Sequence, residues 1–345
     1  MNIFNRYPYL ISDIDVNFYD IAEKEGMSDM AAAKFMIDEA KECGIDAVKF
    51  QSFKTETLIS KNYPNDLKLS ETPASYKKFD KFGVGEYREL AEYCQQVGIK
   101  FLSTPFDFDS ADYLDEFMDI YKISSSDLTN IPFIKHVASK DKPIILSTGA
   151  ATLNEIKQAV NAIEEVSTVD IAIMHSVLSY PTEYEDANLL MIKDLVKNFP
   201  DYEIGYSDNT KPDKDMAVLT TAYNYGALIL EKPFTLDKNL SGNAHCYSMD
   251  PDDVIKLKWN LLFLSKINGM RNKQPVICES SSRRYSRRSI VAIRDIKKGE
   301  VISTDDLTFK RPGTGISPSR IDEIIGKTVK EDILEDTLLD FDMVE

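Results

Sequence analysis

The chain has 345 residues, 43% of them hydrophobic and 28% charged, and carries a formal net charge of −16. Such acidity argues against nucleic acid or an anionic membrane as the partner, and any anionic substrate must be met by a local cationic pocket. No apolar run is long enough to span a membrane, the start MNIFNRYPYL lacks the parts of a signal peptide, and the scattered Cys43, Cys94, Cys246 and Cys278 show neither disulfide-framework nor zinc spacing. A reduced cytoplasmic setting is expected.

Eight short apolar runs recur, nearly all ending in a polar cluster: YLISDIDVN, DAVKFQ, KFLSTPFD, YKISSSD, PIILSTG, IAIMHS, EIGYSDN and ALILEKPFT. They predict strands near 8–16, 46–51, 100–105, 120–126, 143–148, 171–176, 203–208 and 227–235. Most of the segments between them have helical spacing. One runs 30–43 and closes at Gly44, another 86–97 and closes at Gly98, and a third covers 154–166 behind the N-cap Thr152. Strand, polar loop and helix repeated eight times predict an α/β protein, a (β/α)8 TIM barrel over 1–269 with its functional groups at the C-terminal strand ends.

Residues 54–84, with Asn62, Pro64, Asn65, Pro73 and Gly83, are too long and polar for an ordinary connection and are expected to form a lid or substrate loop. The chain exceeds one barrel by roughly 80 to 100 residues. After a last barrel helix near 252–267, residues 270–286 read as a linker and 287–345 as a small, mostly β domain. The basic RRYSRRS at 283–289 suits a solvated linker or an intersubunit contact.

The strand ends carry the chemistry. Lys49 and Gln51 in VKFQ lie two apart, so they share one face of a strand, and in a barrel that face can be the interior. A lone strand-end lysine usually faces solvent. Here a second, Lys122 in YKISSSD, holds a comparable position two strands later. Around them stand Thr104, Ser124, Ser125, Ser126, Ser147, Thr148 and Ser207; singly each suits a turn or cap, and together they suit a phosphate or carboxylate site. In KRPGTGISP, Arg311 is flanked by two prolines and two glycines, in a loop that either fixes a guanidinium or merely turns between surface strands.

The order VKFQ, FLSTPFD, YKISSSD, ILSTG, MHS…YP, GYSDNT, EKPFTLD and then RRSIVAIRDIKKGE…KRPGTGISP resembles the sialic acid synthase family across nearly the whole chain. The resemblance implies a barrel followed by an antifreeze-like (SAF) domain, and condensation of phosphoenolpyruvate with an N-acetylated amino sugar. It implies that Lys49 and Thr104 contact the phosphoenolpyruvate carboxylate, and that Lys122, Ser125, Ser147 and Ser207 surround its phosphate. Gln51, Asp127 and Tyr180 match acceptor-side contacts. Arg311 matches an arginine delivered into the partner subunit's barrel, which implies a domain-swapped homodimer.

The departures concentrate on metal and acceptor functions. A divalent metal, manganese or magnesium, is usual in the family, bound by histidines in SDHT and EKHFT; this chain has Asn209 and Pro233 there, so no metal ligand is assigned. Ala244 replaces an aspartate before His245, Leu178 an asparagine before the YP pair, and the first strand has Asp13, Asp15 and Phe18 for glutamate, glycine and histidine. A rebuilt centre could draw on His175 and His245 with Asp13, Asp15, Asp208 and Glu231, although no HxxxH-like spacing supports it, while His136 belongs to a helix away from the chemistry. Two other readings stay open. One is a non-catalytic homologue that binds a phosphorylated metabolite or pairs with an active synthase, and the other is a barrel aldolase with a Schiff-base lysine.

Overall fold

Alternation of side chains along each short strand leaves one face for the barrel interior and one for the surrounding helices. In the computed structural model, which describes residues 8–62 and 76–345, the strands are β1 (Tyr9–Asp15), β2 (Ala47–Ser52), β3 (Lys100–Pro105), β4 (Tyr121–Ile123), β5 (Ile144–Ser147), β6 (Ile171–Ser176), β7 (Glu203–Ser207) and β8 (Ile229–Pro233). All are parallel, in the order β3-β2-β1-β8-β7-β6-β5-β4. β3 and β4 adjoin without a hydrogen-bond ladder among the described residues, so the barrel is nearly closed.

The helices are α1 (Asn17–Glu25), α2 (Asp29–Cys43), α3 (Thr55–Leu58), α4 (Val84–Val97), α5 (Phe108–Leu114), α6 (Ile131–Ala138), α7 (Leu153–Glu164), α8 (Leu190–Asn198), α9 (Ala217–Asn224) and α10 (Pro251–Ile267). Their ends follow the capping signals: α2 and α4 stop at Gly44 and Gly98 with φ of 87° and 74°, and Thr152 and Glu155 form a capping box on α7. The fourth strand is shorter than the expected 120–126, because the Ser124 hydroxyl accepts from Ser126 N and turns the chain into a 3-10 helix, Ser125–Asp127. None of the described helices is long and apolar enough to cross a membrane.

Inside the barrel, Ile11, Ala47, Leu102, Ile120, Ile145, Ala172, Met174 and Ile229 form one apolar cluster. Two residues further along the same strand faces come Asp13, Lys49, Thr104, Lys122, Ser147, Ser176 and Glu231. The interior therefore changes from an apolar layer to a polar one over a single side-chain period. Gly205 belongs to this packing: a Cβ there would lie 2.9 Å from both Ile229 O and Met174 Cγ. The outer faces pack against the helices in a second, larger core that includes Phe50, Tyr121, Tyr206 and Phe234.

A second compact unit spans Gly269–Glu345. Its core gathers Ile290, Ile302, Ile316, Ile324, Val329 and Leu339. β9 (Ser289–Ala292) runs antiparallel to β10 (Leu307–Lys310), and isolated bridges with 3-10 turns complete it. The segment expected as a linker carries α11 (Ser280–Tyr285).

Candidate active site

The polar layer of the barrel centres on four buried charges. Lys49, from β2, lies 2.7 Å from Asp13 Oδ2 and 3.9 Å from Glu231 Oε1. Lys122, from β4, lies 3.2 Å from the same Glu231 oxygen and donates to Ser147 Oγ at 2.7 Å. Ser207 Oγ donates to that oxygen at 2.9 Å, and Thr104 Oγ1 is 3.5 Å from Lys49 Nζ. The four charged residues are 3–9% exposed, so each needs its counter-charges.

Their titrations follow from that geometry. Burial alone would lower Lys49, but Asp13 and Glu231 outweigh it and hold the ammonium above the ordinary lysine range. Burial would raise Glu231, yet Lys122 and Lys49 keep it below the usual carboxylate range. For Asp13 and Lys122 burial wins, pushing the carboxyl up and the ammonium down. Asp13 Oδ1 and Glu231 Oε2 are buried with no hydrogen-bond partner among the described residues.

Other strand-end groups stand around this cluster. Ser125 Oγ accepts from Gly149 N at 2.9 Å, which ties the loops after β4 and β5 together. A Cβ at Gly149 would lie 3.0 Å from that oxygen, so the glycine permits the approach. Asp127 accepts from Asn130 Nδ2 at 3.2 Å, and burial raises its carboxyl above the usual range. Gln51 is half-buried, and its carbonyl accepts from the Tyr87 hydroxyl at 2.5 Å. Tyr180 is exposed, its ring 6.1 Å from that of Tyr247. A cleft of about 510 Å³ opens between the loops after β5 and β6, but Asp186 and Asp194 line it and disfavour an anion there.

Arg311 is exposed in the second unit, just after β10. Its loop is pinned: Ser289 Oγ donates to Pro312 O at 2.7 Å and accepts from Gly315 N at 2.8 Å, and Gly313 N donates to Arg284 O at 2.9 Å. The basic segment around Arg284 thus supports the arginine's loop, a role the sequence did not suggest. The middle of the expected lid at 54–84, residues 63–75, lies outside the described residues. Its flanks are joined by Lys54, which donates to Asp80 O at 2.9 Å and Phe82 O at 2.8 Å.

The residues present do not fit the family's two-histidine ion. Asn209 donates its amide to Val177 O at 2.9 Å and, more weakly, to Ser176 Oγ at 3.4 Å, and Pro233 offers no side-chain ligand. The three histidines are dispersed. His245 has Thr235 Oγ1 at 2.7 Å on one ring nitrogen and Asp20 Oδ2 at 3.2 Å on the other; His175 bonds Ala187 O at 2.9 Å; and His136, on α6, bonds Asp112 at 2.7 Å. Among the described residues no three or more His, Cys, Asp or Glu are grouped to hold a metal ion.

Residues 36–273 match the model of the NeuB family and residues 287–345 that of the SAF domain. The chain belongs to the NeuB family. The resemblance to sialic acid synthases therefore holds, for the barrel and for the domain that follows it. This NeuB chain is 40% identical to an uncharacterized protein of Methanocaldococcus jannaschii, covering 91% of this chain and 90% of that one. It is 37% identical to the N,N'-diacetyllegionaminic acid synthase of Campylobacter jejuni, covering 90% and 95%. The solved N-acetylneuraminic acid synthetase of Leptospira borgpetersenii, in complex with citrate, superposes with a TM-score of 0.71 at 30% identity, covering 81% of this chain and 90% of that one.

Sequence reasoning named Asp208 only as a possible metal ligand and passed over its partner Lys232, beside the cluster. Lys232 is 1% exposed and lies 2.6 Å from Asp208 Oδ2, whose other oxygen accepts from Tyr206 Oη at 3.1 Å and Thr210 N at 2.9 Å. Glu231 and Lys232 are adjacent, so they serve opposite faces of β8: one balances the lumenal lysines, the other holds the loop carrying Asn209. Two consecutive opposite charges inside an apolar strand were the available signal.

Proposed function

We propose that the chain condenses phosphoenolpyruvate with an N-acetylated amino sugar, giving a nonulosonic 2-keto sugar acid and phosphate. Family membership makes it a transferase of the synthase type, one that forms a carbon–carbon bond. The observation that carries the reading is the pair of buried ammonium groups, Lys49 and Lys122, set among hydroxyls inside a strongly acidic chain. A dense anion is the ligand such a pocket suits.

C3 of phosphoenolpyruvate attacks the aldehyde carbon, and the carbonyl electron pair moves to oxygen, which takes up a proton. Water then adds at C2, and the tetrahedral adduct expels phosphate as the ketone forms. Lys49 with Thr104 and Lys122 with Ser125, Ser147 and Ser207 hold the carboxylate and phosphate, which aligns C3 and offsets their charge. Asp127, held by Asn130, contacts the acceptor. Gln51 and Tyr180 contact the acceptor. Arg311 comes from a second copy in a domain-swapped homodimer, and the pinned loop supports that assignment. No step passes through a metal ion, because Asn209 and Pro233 do not supply its ligands.

Incubation of the pure protein with phosphoenolpyruvate and a panel of N-acetylated hexosamines, with manganese or with a chelator, should release phosphate under both conditions. Release confined to manganese overturns the metal-free mechanism, and no release with any sugar overturns the condensation. The changes at Asn209, Pro233 and Ala244 favour a second reading, a homologue that binds without turnover. Calorimetric binding of phosphoenolpyruvate with no phosphate release is its signature.

A further inference from the structure

β1 ends in an unusual way. Asp15 adopts φ of 53°, in the left-handed region where glycine is cheapest and aspartate or asparagine are the best tolerated alternatives. The ladder with β2 also breaks there: Asp13 pairs with Lys49, but Asp15 pairs with the very next residue, Phe50. A bulge of this kind re-aims a side chain, and here it does so at the mouth of the barrel, beside the buried lysines. A strained aspartate persists only where its surroundings over-determine it.

Those surroundings are on the acceptor side. Asn17, fully buried two residues later, accepts from Ala244 N at 3.2 Å and donates to Phe234 O at 2.9 Å and Ser248 Oγ at 3.2 Å. It therefore locks the end of β1 to the loop 244–248. Within that loop, burial raises the Tyr247 hydroxyl, and the negative field of Asp15 adds to it, followed by Tyr180 and Asp13. β1 thus ends beside the Asp13–Lys49 pair and is tied through Asn17 to a loop that carries Tyr247 and has an alanine at 244.

We propose that Asp15 is a specificity-determining residue of the acceptor site, its carboxylate accepting a hydrogen bond from an acetamido N–H or a hydroxyl of the amino sugar. The proposal rests on the condensation set out above. The carboxylate enters from the first strand end, across the Asn17 bridge from the loop that lacks one.

Asp15→Gly and Asp15→Asn separate this role from a structural one. Asp15→Gly removes the carboxylate and relieves the backbone, so its melting temperature should match or exceed that of the unaltered protein. Its KM for the acceptor should rise about tenfold or more, the loss of a charge-assisted hydrogen bond, while the KM for phosphoenolpyruvate stays within about twofold. Asp15→Asn keeps the shape and an acceptor oxygen and should show a smaller rise. An unchanged acceptor KM in Asp15→Gly, or a rise in both KM values together, overturns the proposal while leaving the condensation standing. Absence of turnover by the unaltered protein overturns the condensation, and this proposal with it.

Discussion

Glu231 reaches across the barrel to Lys122, its Oε1 3.2 Å from the ammonium nitrogen, and the same oxygen lies 3.9 Å from Lys49. One carboxylate from β8 therefore holds together two lysines that would otherwise repel each other out of water. Removing the charge and keeping the shape, as in Glu231→Gln, leaves the ammonium pair under-compensated. We expect a loss of about 3–5 kcal/mol in urea denaturation. Phosphoenolpyruvate should restore more stability to Glu231→Gln than to the unaltered protein, because the ligand supplies the missing negative charge.

Lys122→Met matches the stem of the lysine and leaves Glu231 with Ser207 and Lys49 as partners. The variant should fold. Calorimetry should find phosphoenolpyruvate binding weakened by about tenfold or more, and phosphate release should fall by about a hundredfold. Normal turnover would show that the anion site lies elsewhere.

The barrel and the positions of its strands were legible in the sequence because each strand is a short apolar run stopped by polar residues, and a period of two places Lys49 and Gln51 on one face of β2. Other features were not, because they depend on pairs distant in sequence. Nothing local in DIDVN or ILEKP tells that Asp13 and Glu231 neutralise Lys49, or that Lys232 seals Asp208. The αL turn at Asp15 had one trace, the family's glycine at that position, while the bulge against β2 that accompanies it lies in the pairing of distant residues. Ser124 was readable in hindsight: three consecutive serines favour a local turn over the end of a strand.

His175 gives the stability a pH dependence of known sign. Burial lowers its pKa below the ordinary histidine range, with the Ala187 carbonyl opposing that shift less strongly. The unfolded chain then binds the proton more readily, so acidification below about pH 6.5 favours unfolding. His175→Gln keeps an N–H donor and cannot titrate. Between about pH 7.5 and pH 5.5 the melting temperature of the unaltered protein should fall more steeply than that of the variant; parallel curves would contradict the assignment.

Gly205→Ala tests the apolar layer beneath the site. The added methyl would come within 2.9 Å of the Ile229 carbonyl oxygen and of Met174 Cγ, and the carbonyl cannot move without disturbing β8. A loss of about 1–3 kcal/mol in urea is expected. Because β8 carries Glu231, a fall in phosphate release should accompany it. A variant as stable as its parent would mean that the interior is looser than the distances require.

The most direct test of the account follows the carbons. With phosphoenolpyruvate labelled with carbon-13 at C3 and an N-acetylated hexosamine acceptor, in the presence of a chelator, mass and NMR spectra should find the label in a 2-keto acid three carbons longer than the sugar, at the carbon bonded to the former aldehyde carbon. Label confined to phosphoenolpyruvate or pyruvate, with every acceptor tried, would contradict it.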